Sequence, residues 1–131
     1  MSKYFKYKFK IYYEDTDSGG IVYYANYLKY LERARSEAIY SLGLTNTKLQ
    51  KNHDTLIIVK SCNIEYKKPA KFEDELEIIS SILSKTRTSF TMLQIIKKNE
   101  EIISEATVQL VTVNKEGKPI KIPEILNNLL N

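Results

Sequence analysis

One segment of this chain carries a long helical stripe, and nearly everything else that is periodic alternates at two. Over residues 26–42 the apolar side chains Leu28, Leu31, Ala34, Ala38, Ile39 and Leu42 recur at helical spacing, and Tyr27 and Tyr30 widen the stripe. Asn26 is placed as the N-cap and Gly43 as the residue that ends the helix. The pairs Glu32–Arg35 and Arg33–Glu37 have the spacing of ion pairs that support a helix surface. Ahead of the helix, Phe5, Tyr7, Phe9, Ile11 and Tyr13 share one face, with Lys6, Lys8, Lys10, Tyr12 and Glu14 on the other. This is a half-buried strand, and it is expected to end with the Tyr13 hydroxyl pointing inward beside the next loop.

Behind the helix, a polar connection over 45–54 leads into four strand patterns, at 56–66, 76–83, 90–96 and 102–113. In the last, Ala106, Val108 and Leu110 alternate with Glu105, Thr107 and Gln109. The links at 85–88 and 98–100 are short enough to imply antiparallel hairpins. Residues 115–118 read as a turn, and Pro123 opens a short C-terminal helix.

The expected fold class is therefore α+β: an antiparallel sheet of about five strands around one long helix, as a single domain over 1–131. A helix of about 17 residues is about 25 Å long and covers one strip of such a sheet. The sheet edges also need cover, so a homo-oligomer that joins sheets is expected.

Composition narrows the function classes. A net charge of +4 suits a phosphate-bearing ligand but is too small to argue for nucleic acid. Cys62 is the only cysteine and His53 the only histidine, so one chain can form neither an internal disulfide nor a multi-histidine zinc site. The first ten residues alternate aromatics with lysines, without the apolar core of a signal peptide, and no apolar run is long enough to span a bilayer. A cytoplasmic location is expected.

The chemistry concentrates in Asp15-Thr16-Asp17-Ser18-Gly19-Gly20, between the first strand and the helix. As a calcium loop it fails: counted from Asp15, the fifth position is Gly19, and the twelfth is Asn26 where a bidentate Glu is required. As an Asp-x-Asp phosphoryl-transfer nucleophile it lacks the parallel α/β scaffold. Acyl transfer fits better. Gly19 and Gly20 allow a close backbone approach, Asp17 precedes the helix start, and N–H groups over 23–27 can polarise a carbonyl while the acid activates water or attacks. Against this stands the plainer role of Asp15 or Asp17 as a turn cap.

The stretch over 12–37, Tyr-Tyr-Glu-Asp-Thr-Asp-Ser-Gly-Gly-Ile-Val-Tyr-Tyr-Ala-Asn-Tyr-Leu-Lys-Tyr-Leu-Glu-Arg-Ala-Arg-Ser-Glu, resembles the signature of the hotdog-fold 4-hydroxybenzoyl-CoA thioesterase group. It is most similar to the YbgC-like, Tol–Pal-associated acyl-CoA thioesterases. Length and element order agree along nearly the whole chain. The resemblance implies hydrolysis of short aliphatic or aromatic acyl-CoA without metal or other cofactor. It also implies a homodimer or homotetramer with sites at subunit interfaces, and leaves acyl carrier protein open as the alternative thioester carrier. Asp17 matches the family's catalytic acid, and Tyr13 its tyrosine two residues before the Asp-x-Asp pair. Tyr24 stands where many YbgC-like members have histidine, so histidine-assisted proton transfer is unavailable there; its backbone N–H remains the expected carbonyl donor. Gly20, Ile21, Val22 and Asn26 are expected to contact substrate, and Arg87 to meet a CoA phosphate. The alternative is an acyl-CoA or acyl-carrier binding protein with little turnover. A hotdog dehydratase is disfavoured by the lack of a catalytic histidine in the strand-to-helix segment.

Overall fold

The computed structural model describes residues 3–131. Five antiparallel strands form one sheet: β1 (Phe5–Lys10), β2 (Leu56–Tyr66), β3 (Glu75–Lys85), β4 (Ser89–Lys98) and β5 (Glu101–Val113), in the order β1-β3-β4-β5-β2. Helix α1 (Asn26–Tyr40) lies on the apolar face; α2 (Asn46–His53) and α3 (Asn127–Leu130) are shorter. This is the hotdog arrangement expected from the sequence.

Alternation builds the core. Leu76 and Ile78 of β3, Phe90, Met92 and Ile96 of β4, and Ala106, Val108 and Leu110 of β5 are all buried on the helix side. They meet Tyr27, Tyr30, Leu31, Ala34 and Ala38 of α1. β3–β4 and β4–β5 are the expected hairpins. β2, by contrast, pairs with β5 rather than with its chain neighbour β3. The chain thus crosses the sheet between β2 and β3, and β1 and β2 end up as the two outer strands.

Four expectations need correcting. α2 occupies the connection read as irregular: the Thr45 side chain accepts from the Lys48 N–H to start it, and Asp54 ends it in a left-handed conformation. Asn26 is the first helical residue and not the N-cap; its side-chain amide donates to the Asp15 carbonyl at 2.9 Å. Leu28 lies off the sheet-facing stripe and is 50% exposed. Tyr13 does not point inward. The Asp15 carboxylate accepts from the Tyr12 N–H at 2.8 Å, while the Asp15 and Thr16 N–H groups donate to the Tyr12 and Tyr13 carbonyls. That local competition for backbone donors bends residues 13–15 into a 3₁₀ turn and stops the alternation at Ile11. Tyr13 is consequently 77% exposed and stacks on Phe72, with ring centroids 3.9 Å apart.

Gly43 adopts φ +80° just past α1, where the Leu44 N–H reaches back to the Ile39 carbonyl. It serves as the helix stop foreseen for it, although α1 itself ends at Tyr40.

Candidate active site

The loop over 16–22 is a small closed turn. Thr16 and Val22 form an isolated antiparallel bridge, the Asp17 N–H donates to the Ile21 carbonyl at 2.8 Å, and the Gly20 N–H donates to the Asp17 carbonyl at 3.1 Å. The loop is strapped to the 69–74 connection: Val22 N–H donates to Ala70 O, Phe72 N–H donates to Gly20 O, and Ile21 bridges Lys71. The Ala70 N–H in turn donates to the Tyr27 hydroxyl at 3.2 Å. Burial raises the Tyr27 pKa, so the phenol stays neutral beside that donor.

The two acids of the loop differ in environment. Asp15 is built into the backbone, its carboxylate taking the Tyr12 N–H and its carbonyl taking both the Tyr23 N–H and the Asn26 amide. Its neighbourhood also holds the buried Tyr30 hydroxyl, whose pKa is driven well above the tyrosine range by desolvation first and by Asp15 next. Asp17 is exposed, and among the described residues its Oδ1 accepts only the Gly19 N–H, at 2.8 Å. The turn-cap role and a free carboxylate edge thus coexist in one side chain.

Glycine suits the loop at two positions, for different reasons. A Cβ on Gly19 would sit 3.3 Å from Asp17 Oδ1, crowding the carboxylate. Gly20 has φ +79° with open space around it, so an added methyl meets no neighbour and pays only for the backbone conformation. Gly20→Ala is expected to lower stability by about 1–2 kcal/mol, read as a shift in the urea midpoint; a variant as stable as wild type refutes the backbone argument.

At the helix start, the Asn26, Tyr27 and Leu28 N–H groups donate to the Tyr23, Tyr24 and Ala25 carbonyls. Among the described residues, no protein acceptor takes the N–H of Tyr24 or of Ala25. These are the unsatisfied donors of a helix entrance, and no side chain caps them. The Tyr24 side chain is 63% exposed, beside Tyr23 and edge-on to Tyr66, whose hydroxyl donates to the Tyr24 carbonyl at 3.3 Å.

The sequence-selected residues therefore divide into groups. Asp17, Gly20, Ile21, Tyr24 and Asn26 gather around one loop and helix entrance, with Tyr13 beside it on Phe72. The Val22 side chain is in the core, leaving its backbone to face the loop. Arg87 is elsewhere. It lies in the β3–β4 hairpin, at the end of the sheet opposite the Asp17 loop, which abuts the far ends of β1 and β2.

One arrangement was not read from the sequence. Arg35 forms no ion pair with Glu32; Glu32 instead accepts from Ser36, and the Arg35 Nη1 donates to Gln94 Oε1 at 3.0 Å. Gln94 is fully buried, and its amide donates to the Leu31 carbonyl and to Ser80 Oγ, each at 3.0 Å. The available signal was a polar residue at a core position of an otherwise apolar alternation.

Residues 12–130 match the model of the thioesterase-like superfamily. The acyl-CoA thioesterase YbgC of Haemophilus influenzae is 33% identical over 121 residues, covering 92% of this chain and 89% of that protein. The YbgC thioesterase of Helicobacter pylori is 33% identical, covering 93% and 96%. A probable thioesterase from Bartonella henselae superposes with a TM-score of 0.89 at 31% identity, covering 92% of this chain and all of that one. With its strand-to-helix acidic loop and uncapped helix entrance, the chain belongs to the thioesterase-like superfamily, among relatives of the YbgC acyl-CoA thioesterases.

Proposed function

We propose that this protein hydrolyses acyl-CoA thioesters to the free acid and CoA. The observation that carries the reading is the pair of N–H groups at Tyr24 and Ala25 without a protein acceptor among the described residues, just beyond the loop that carries the exposed Asp17 carboxylate. A thioester oxygen seated on these donors gains charge as the tetrahedral intermediate forms, and fixed backbone dipoles stabilise that charge without reorganising. Asp17 either takes a proton from the attacking water or attacks the carbonyl itself, giving a mixed anhydride that water then cleaves. In both routes the C–S bond breaks, and CoA leaves as the thiolate and picks up a proton. The relatives named as acyl-CoA thioesterases support CoA as the carrier. Thiol release from a panel of short aliphatic and aromatic acyl-CoAs tests the proposal; no release from any of them, nor from acyl carrier protein thioesters, overturns it.

The site is completed by a second copy. β2 is an outer strand with Ile58, Val59 and Tyr66 about half exposed, and one of its edges is unpaired among the described residues. An antiparallel join of two β2 edges satisfies that edge and makes one continuous sheet. It also turns the Arg87 end of one protomer toward the Asp17 end of its partner, so that the two residues can serve one substrate although they lie at opposite ends of a single sheet. Sedimentation at micromolar concentration is expected to give a dimer or a multiple of it, and a monomer refutes the join. Arg87→Ala is expected to raise the KM for acyl-CoA by about 3–10-fold at low salt, with the difference shrinking as salt screens the phosphate contact. An unchanged KM removes Arg87 from the site.

A further inference from the structure

Neither the comparisons nor the acidic loop accounts for a cavity of about 300 Å³ between the second half of α1 and the sheet. Its walls include Arg35, Ile39, Val59, Phe90, Met92 and Leu110. Within one protomer it lies away from the Asp17 loop, Arg35 being nine residues beyond the helix start, about 14 Å along the axis; in the β2–β2 join proposed above, its Leu56, Val59 and Phe90 walls lie at the end that faces the partner's loop, so the inference deepens that reading. The volume is at the lower end of the range of small-molecule sites, and the walls are mostly apolar with a few polar groups, the usual make-up of such sites.

The polar group that matters is Arg35. Its guanidinium has five N–H donors, and among the described residues only one hydrogen bond is made, to a neutral amide. No carboxylate lies within ion-pair distance among the described residues. Glu32 also borders the cavity, but its carboxylate is exposed and engaged by Ser36 at 2.7 Å. Burial disfavours the charged form, and Glu32 only partly offsets this. A charge drawn into an apolar wall without an anion is costly to leave unpaired, and a planar guanidinium matches a carboxylate two bonds at a time. Gln94 holds the group in place through Leu31 and Ser80, so the fork is positioned before any ligand arrives.

We infer that this cavity binds a carboxylate on a short apolar stem, the carboxylate on Arg35 and the stem against Val59, Phe90 and Met92. Two sources have that chemistry. One is a free carboxylic acid; the other is the distal end of an acyl group that carries a second carboxylate. The second source rests on the thioesterase reading above, whereas binding itself does not.

Calorimetric titration with octanoate and with octanedioate tests binding directly, on wild type, Arg35→Met, Arg35→Lys and Val59→Trp. Val59 is half exposed, so a larger side chain there fills the cavity without disturbing the core; since it also lies on the β2 edge proposed to join the partner, binding is read on a Val59→Trp preparation that sediments like wild type, with Arg35→Lys as the independent variant. Wild type is expected to bind at least one of the two acids. Arg35→Met should weaken binding by at least about tenfold, Arg35→Lys, which keeps the charge but loses the planar fork, should weaken it less than Arg35→Met, and Val59→Trp should abolish it. Should Arg35→Met fail to fold, the lysine and tryptophan variants decide. No binding by wild type, or binding that survives Val59→Trp, overturns the inference, as does equal binding by a folded Arg35→Met. The kinetic arm separates the sources. If Arg35→Met lowers kcat/KM for the octanedioic monothioester of CoA relative to octanoyl-CoA, the site reads the distal end of the substrate. If that ratio is unchanged while octanoate binding is lost, the ligand is the free acid. Absence of turnover on these and on the whole thioester panel above refutes the thioesterase reading and leaves the titration to decide on the cavity.

Discussion

Asp17→Asn lowers kcat for thiol release by about 10²–10⁴-fold and leaves the melting temperature near that of wild type. The two halves of this result have separate origins. An amide oxygen at Oδ1 still accepts the Gly19 N–H, so the turn that shapes the loop persists. The side chain is exposed, and no other protein group depends on it among the described residues. What the substitution removes is the lone pair that takes a proton or attacks carbon, worth about 3–5 kcal/mol of barrier for that range of rates. KM should change little, because the loss falls on the transition state and not on the bound thioester. A variant that keeps more than about a tenth of the wild-type kcat overturns the role of Asp17.

That division of labour also explains what could be read from the chain alone. The match of acid, glycines and helix over residues 12–37 is contiguous, so its local chemistry survives without knowledge of the tertiary fold. The strands were legible because each has one apolar face, as in Ala106, Val108 and Leu110. The failures share a cause: they lie where a single side chain or a distant partner decides. Asp15 ends the first strand by capturing the Tyr12 N–H, so Tyr13 leaves the face that period two assigned to it. α2 buries only Leu49 and therefore shows no stripe; it is set by its caps at Thr45 and Asp54. The pairing of β2 with β5 depends on a crossing that no local pattern records. Arg35 looked like a surface partner for Glu32 because i,i+3 spacing is visible in a sequence and Gln94, 59 residues away, is not.

Gln94→Leu is expected to lower stability by about 3 kcal/mol, although the two side chains are close in size and the site is fully buried. Leucine suits the surroundings, with Phe90, Met92 and Ile96 on the same face of β4. The cost comes from what is stranded. Half-buried Arg35 loses the acceptor of its Nη1, and Ser80 Oγ, as buried as Gln94, loses the Gln94 amide. Leaving a charged donor unpaired exceeds the net worth of the bond itself, whereas removing both partners together is much less harmful. The double variant Arg35→Met/Gln94→Leu should therefore be more stable than Gln94→Leu alone, with a coupling of about 1–3 kcal/mol. Urea midpoints at a fixed protein concentration measure this, with m held constant across the set so that the shifts are shifts in stability. Additive single and double effects show that Arg35 already finds solvent in the folded state. In that case its guanidinium carries no unmet demand for an anion, and the structural argument for a carboxylate in the neighbouring cavity loses its driving force.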